Sequence, residues 1–583
     1  MLLTFLFNVA LLGFASLCLA YDVFDMEAHP NSWISYGNIT SKRYNGANFE
    51  GVSLKASPDS MIEDGDLVKV SFDSDEFLNL LEIYIASYSP SDVDITKTAP
   101  VTYKNVTGFS GDVYFSLVNM RSDYVFVLLN GSLTAPIELA RSNTVTFRNP
   151  NAPKARRLMH THNSNEVRVT WSSSRDDLNP KVVYWPTDTP TLSWKKNISC
   201  ESYKFSVSDM CGNPAKTTGW RDPGYMHTVV IPDLITGVEY SYSIGADDEI
   251  SQKVYSFNLP SKNTYPYSLL AFADQGQTTN DRASTEQNFH FGLVVSQMAS
   301  SLISSDPNIH LVVHPGDISY ARGYMADWDI FTSMNENISA RVPYAVSVGN
   351  HEMDYPNSTS SFTTNDSGGE CGIAVQMQYP TTQTEINKPW YYFSSGPVFV
   401  VMMSTEHDFS EGSEQFKYIQ NVLMNVIDRS VTPWVIFTGH RPMYIDSTNN
   451  NTDVGDQPVA DNLRKYIEPL LLNAGGSSVD ITIWGHHHSY QRMCSSYSGS
   501  CMQRSKNRNY NKPQYPIPLV IGTAGPGFSI NIQVPAPEFV EQVIFRHGLS
   551  KITVYNSSNL EFKFYASDNG TNMDILDSFS ISK

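Results

Sequence analysis

In the first quarter of the chain, apolar residues recur in short runs at strand spacing. In Leu67-Val-Lys-Val-Ser-Phe72, apolar and polar positions alternate, Tyr124-Val-Phe-Val-Leu-Leu129 is apolar throughout, and clusters of Ser, Asp, Gly and Asn separate such runs. That pattern predicts short antiparallel strands, so residues 21–148 are expected to form a β-sandwich. Asn149-Pro-Asn-Ala-Pro153 interrupts it as a linker. Over residues 154–264, runs such as Glu166-Val-Arg-Val-Thr-Trp171, Lys181-Val-Val-Tyr184 and Glu239-Tyr-Ser-Tyr-Ser-Ile244 alternate again, predicting a second, fibronectin type III-like sandwich. From 265 to 583 the character changes. Apolar strand runs there alternate with helical stretches, notably 287–304 and 413–428, which predicts an α/β domain built from βαβ units.

The ends of the chain and its charge narrow the class. Met1–Ala20 is an apolar run ending Cys18-Leu19-Ala20, the form of a secretory signal with a mature chain starting at residue 21; it lacks a preceding Lys or Arg, which keeps an uncleaved anchor as the alternative. Ten Asn-x-Ser/Thr sequons follow, at Asn38, Asn105, Asn130, Asn197, Asn337, Asn357, Asn365, Asn450, Asn556 and Asn569; together with the signal they predict a secreted or lysosome-like glycoprotein. The formal net charge of −19 excludes nucleic acid and anionic membrane as bulk partners, and no stable membrane insertion is expected of the mature chain. The basic cluster Arg504-Ser505-Lys506-Asn507-Arg508 reads as a solvated loop. Beyond the signal, Cys494 and Cys501 are close enough to close a short loop, while Cys200, Cys211 and Cys371 leave one thiol unpaired whatever the pairing. Homo-oligomerisation is left open.

Five segments of the last domain share one grammar: a short apolar strand, a tight turn, then groups able to bind metal. They end in Ala273-Asp274-Gln-Gly276, in Gly316-Asp317-Ile-Ser-Tyr320, in Gly349-Asn350-His351-Glu352, in Gly439-His440 and in Gly485-His486-His487-His488. Singly each is a weak signal, since Gly-Asp is more often a turn and a lone histidine more often a satisfied one. Five in one domain, all at carboxyl ends of strands where open α/β sheets bind ligands, predict a metal centre.

This ordered set resembles the calcineurin-like metallophosphoesterases, and Tyr320, three residues after Asp317, narrows the resemblance to the purple acid phosphatases. Met210-Cys-Gly-Asn-Pro214, Gly219-Trp-Arg-Asp-Pro-Gly-Tyr225 and Asp366-Ser-Gly-Gly-Glu-Cys-Gly372 resemble its large plant-type branch. The resemblance implies an α/β/β/α sandwich behind the two β-sandwiches. It implies Asp274, Tyr320 and His488 as ligands of Fe(III), with Asp317 bridging to a divalent ion (Zn, Fe(II) or Mn) held by Asn350, His440 and His486. Carboxylates and phenolate suit a hard trivalent ion, whereas imidazoles and an amide oxygen suit a borderline divalent one. His351 is implied as the group that positions phosphate or protonates the leaving oxygen. The activity implied is an acid phosphatase that hydrolyses small phosphate monoesters with a metal-activated hydroxide. A phosphodiesterase or nucleotide pyrophosphatase of the same fold, and an inactive secreted binding glycoprotein, are the rivals.

Three departures from the family pattern stand out. Ala273 precedes Asp274 where Gly is usual, and Gln491 stands where Glu is usual. After His440, the stretch Arg441-Pro-Met-Tyr444-Ile-Asp-Ser-Thr-Asn449-Asn450 lacks the second substrate-facing histidine, leaving His351, with His487 or Arg441 as substitutes. Gly522-Thr-Ala-Gly525-Pro-Gly527 has no Walker lysine and reads as a turn at the rim of the site.

Overall fold

A computed structural model describes residues 51–583 apart from 79–82, 132–134, 190–194, 247–249, 286–288, 383–384, 386 and 452–453; the signal-like segment and the sequon at Asn38 lie outside the described residues. The first sandwich pairs the sheet Val52–Ser57, Leu67–Leu78, Gly108–Ser116 with the sheet Thr102–Asn105, Ile83–Tyr88, Val125–Asn130, Ile137–Arg141. Val68, Val70 and Phe72 turn inward and Lys69 and Ser71 outward, as the alternation requires. The central strands Ile83–Tyr88 and Val125–Asn130 are apolar on both faces because both are covered, one by the sandwich core and one by the segment carrying Ile95. The second sandwich sets four strands over four, around a core centred on Trp171.

Two seven-stranded mixed sheets then lie face to face. One runs in the order Tyr344–Ser347, Ile309–Pro315, Tyr267–Ala271, Gly548–Asn556, Asn559–Ala566, Asp574–Ser582, Asn509–Asn511; the other Tyr391–Ser395, Val398–Met402, Trp434–Thr438, Ile481–Trp484, Ile517–Ile521, Tyr490–Met493, Val540–Ile544. Apolar side chains from both fill the space between them. The helices His290–Ser305 and Met325–Ser339 cover the outer face of the first sheet, and Glu414–Asn421 and Asp456–Tyr466 that of the second. The parallel strands are buried end to end and mostly apolar because both faces are covered. The βαβ reading does not extend to the rest of each sheet, which is antiparallel, including the meander Gly548–Ser582, except where the edge strand Asn509–Asn511 runs parallel to Asp574–Ser582.

The helix expected at 413–428 stays α only over Glu414–Asn421, starting where Ser413 Oγ accepts the Phe416 N–H at 3.1 Å, and widens to a π turn at Val422–Val426. Met325–Ser339 is gripped by both sandwiches. Arg121 makes two bonds to Asp329 at 2.7 and 2.6 Å, and Arg156 pairs with Glu336. Cys211 pairs with Cys371 and Cys494 with Cys501, leaving Cys200 as the unpaired thiol.

Candidate metal centre

The strands Tyr267–Ala271, Ile309–Pro315 and Tyr344–Ser347 run parallel in one sheet, and Trp434–Thr438 and Ile481–Trp484 run parallel in the other. Their carboxyl ends deliver all five predicted segments to one edge of the double sheet. Turning that tightly strains the backbone: Asp274, Asp317, Tyr320 and His486 all have φ between 48° and 69°, a region non-glycine residues rarely occupy and which clusters at functional sites. The neighbouring glycines make room. A Cβ on Gly349 would lie 2.3 Å from Asp317 Oδ1, and one on Gly485 2.6 Å from Asp274 Oδ2.

Asn350 Oδ1 lies 3.0 Å from both His440 Nε2 and His486 Nδ1; these nitrogens are 3.3 Å apart, and His440 Nε2 is 3.3 Å from Asp317 Oδ1. His440 Nδ1 donates to the Pro315 carbonyl at 3.0 Å, while His486 Nε2 lies 3.4 Å from both Asp456 Oδ1 and Arg441 Nη1. As a neutral ring, His440 therefore turns a lone pair toward an amide oxygen and a carboxylate. Acceptors crowded in this way are stable only around a cation or a proton. Without a metal a proton takes its place: burial pulls His440 down, but Asp317 and Asp274 outweigh it and push it up to about 10.

The second group is similar. Tyr320 Oη is 3.2 Å from Asp274 Oδ1 and 3.0 Å from His488 Nε2, while His488 Nδ1 donates to the Gly527 carbonyl at 2.9 Å. Burial and the carboxylates of Asp274 and Asp317 push the Tyr320 phenol well above its usual value, so a phenolate here needs a cation. Burial, with Asp317 nearby, likewise pushes Asp274 well above the carboxylate range, while in Asp317 the effect of burial is overridden by His440 and His351, which hold it well below. The donor set therefore fits two ions, a harder one beside Asp274 and Tyr320 and a softer one beside the imidazoles.

A surrounding layer fixes these groups. Glu352 accepts three backbone N–H groups, from Asp317, Ile318 and Gly349, at 2.8–3.0 Å, locking two of the turns together. Asp366 accepts the Asn350 amide N–H at 3.0 Å and so turns its oxygen toward the histidines. His351 is half-buried with Nε2 3.8 Å from Asp317 Oδ2, and its Nδ1 accepts from Arg322 Nε at 3.2 Å. Nδ1 also lies 3.2 Å from the Asp366 carbonyl, and the ring turns Nε2 toward the centre. Burial pushes His351 down to about 4 against the pull of Asp317, leaving it a neutral donor above that pH.

All seven predicted ligands and His351 meet at this edge. The two substitutes for a second substrate-facing histidine do not serve: Arg441 is buried and bonded to Glu406 and Asp354 at 2.9 and 3.0 Å, and His487 is buried against Ser489 Oγ at 2.7 Å. Gln491 has its own logic, accepting from the Asp446 N–H at 2.8 Å and donating to the Asp446 carbonyl at 3.0 Å; a carboxylate could not do both. The loop 504–508 is a surface hairpin, with Arg504 donating to the Glu538 carbonyl and Ser505 to Glu541. Sequence reasoning missed Asp456, which starts a helix with no motif around it, and the role of Asp366, although its segment carried a family signature.

Three family descriptions match in succession: "Purple acid Phosphatase, N-terminal domain" over residues 153–259, "Calcineurin-like phosphoesterase" over 290–490 and "Iron/zinc purple acid phosphatase-like protein C" over 515–575. An Arabidopsis thaliana protein named "Probable inactive purple acid phosphatase 1" is 32% identical over 97% of this chain and 94% of its own length. The Hordeum vulgare "Nucleotide pyrophosphatase/phosphodiesterase" is 32% identical over 54% of this chain and 83% of its own. Among solved structures, a purple acid phosphatase from yellow lupin (Lupinus luteus) seeds superposes with a TM-score of 0.82 at 28% identity, covering 91% of this chain and 96% of the lupin chain.

Proposed function

Because the chain belongs to the purple acid phosphatase family, we propose that it is a secreted acid phosphatase acting on phosphate monoesters. In this reading Asp274, Tyr320 and His488 hold Fe(III), Asn350, His440 and His486 hold a divalent ion, and Asp317 bridges. The observation that carries it is the convergence of metal-binding atoms from Asn350, His440, His486 and Asp317, all within hydrogen-bonding distance of a neighbour in the set.

Two bound ions supply Lewis acidity toward phosphate oxygens and a nucleophilic water. The chain's own residues do the rest. With the ions in place the centre would carry a net positive charge, which would draw a phosphate dianion into a protein of net charge −19. Glu352 and Asp366 hold the ligand turns in register, and His351, with Nε2 toward the centre, would position phosphate or protonate the leaving-group oxygen. Secretion is supported by the two disulfides and by the described sequon asparagines, exposed except for the half-buried Asn130. Among the described residues no helix is long and apolar enough to cross a membrane.

Two other readings have specific support: the word "inactive" in the names of several Arabidopsis thaliana relatives, and the name of the Hordeum vulgare relative. One comparison separates all three. Metal-loaded protein is expected to hydrolyse an aryl phosphate faster than a bis-aryl phosphate or ATP at acidic pH. A faster reaction with the diester or ATP supports the phosphodiesterase or pyrophosphatase, and no turnover of any of them supports the binding protein.

A further inference from the structure

Residues 525–537, Gly-Pro-Gly-Phe-Ser-Ile-Asn-Ile-Gln-Val-Pro-Ala-Pro, contain no charged residue, although 17% of the chain is charged. This strap joins His488 of the metal centre to the loop that follows His440. At one end the Gly527 carbonyl and Ser529 Oγ accept from His488 Nδ1 and N at 2.9 and 3.1 Å, and the Ser529 N–H returns a bond to the His488 carbonyl at 3.1 Å. At the other it clasps the loop that follows His440: the Asn531 carbonyl accepts from the Thr448 N–H at 2.6 Å, Asn531 Nδ2 donates to Ser447 Oγ at 3.1 Å, and the Gln533 N–H donates to Asp446 Oδ1 at 2.8 Å. The backbone is thus fixed at both ends, and three prolines restrict it further.

Ile530, between these anchors, and Val534, directly after the second, turn large apolar side chains to solvent, at 73% and 93% exposure. Exposed branched aliphatics beside a charged centre contribute nothing to the core. Their position, next to residues bonded to His488 and to the loop after His440, is where the organic part of a substrate would lie with its phosphate on the ions. We propose that Ile530 and Val534 are specificity-determining residues, which select phosphate esters of uncharged, apolar alcohols or phenols over esters carrying a second charge. The proposal rests on the phosphoesterase reading and names its substrate class. Because the strap is already ordered, contact with it avoids the ordering cost that a mobile loop would add.

Binding of non-hydrolysable alkyl phosphonates to the metal-loaded full chain tests this independently of turnover. Each buried methylene strengthens binding about fourfold, so pentyl phosphonate is expected to bind about tenfold more tightly than methyl phosphonate, the chain being only partly covered. Carboxyethyl phosphonate should bind no better than methyl. In the Ile530→Ser/Val534→Ser variant the preference should fall below about threefold, with inorganic phosphate binding unchanged as the sign that the centre is intact. Equal binding of methyl and pentyl phosphonate by the wild type, a preference that survives in the variant, or tighter binding of the carboxyethyl compound would each overturn the proposal. Failure of inorganic phosphate itself to bind the wild type would sink the phosphoesterase reading, and the proposal with it. Binding without turnover of any ester would refute hydrolysis alone.

Discussion

Asp317→Ala is expected to abolish turnover and to strip metal from the protein, the most damaging single change in the centre. Its carboxylate lies 3.3 Å from His440 Nε2, and its charge bears on Asp274 and Tyr320 in the neighbouring group. It also accepts the His351 N–H at 3.0 Å. Alanine removes the bridging ligand and leaves two clusters of lone pairs with less negative charge to hold cations, so both ions should be weakened together. The loss should exceed the roughly 10–100-fold typical when a residue that only supports a ligand is removed. Metal content and turnover measured on the same purified variant, with thermal unfolding to establish that it is folded, provide the check. A folded Asp317→Ala protein that keeps most of its metal and activity would mean that the centre lies elsewhere.

His351→Ala should behave differently. It removes no ligand, so metal content should stay near that of the wild type. Its effect should depend on the leaving group. Alkyl phosphates release a strongly basic oxygen that needs a positioned proton donor, a contribution of about 10²–10⁴-fold where it operates; aryl phosphates with acidic phenols need little. Arg441 and His487 are tied up in buried contacts, which leaves His351, with Nε2 turned toward the centre, to supply that donor. The variant should therefore lose alkyl phosphate hydrolysis by that factor while retaining most activity on activated aryl esters. Equal losses on both classes would assign His351 to holding the Asn350 turn instead.

The five strand ends were legible because their chemistry is local. A tight turn after an apolar strand and a metal-binding side chain a few residues on are both written in consecutive positions, and the parallel order of the strands brings the positions together. Groups that act across the fold were not legible. Asp456 reaches His486 from a helix start, and Asp366 orients Asn350 from a loop that is tied by the Cys211–Cys371 disulfide to the second sandwich. The pairing itself was undetermined, because separation along the chain carries no information about proximity across 160 residues. The antiparallel halves of both sheets escaped the βαβ reading for a similar reason: alternation within the last strands says which residues are buried, not which strands they join. The strap shows the converse. Its lack of charge is visible in the sequence, but that it joins the centre to the loop that follows His440 depends on hydrogen bonds to His488 and to Asp446.

The most direct measurement is metal analysis of the purified wild-type protein together with its visible spectrum and turnover of an aryl phosphate on the same sample. About two ions per chain are expected, one of them iron. A charge-transfer band that Tyr320→Phe removes should accompany them, and the activity should be lost on chelation and restored by adding the metals back. A colourless, active protein holding two zinc ions would contradict the Fe(III) assignment while sparing the hydrolase. A protein that hydrolyses phosphate esters with no metal bound, or one that carries both ions and hydrolyses none, would contradict the account itself.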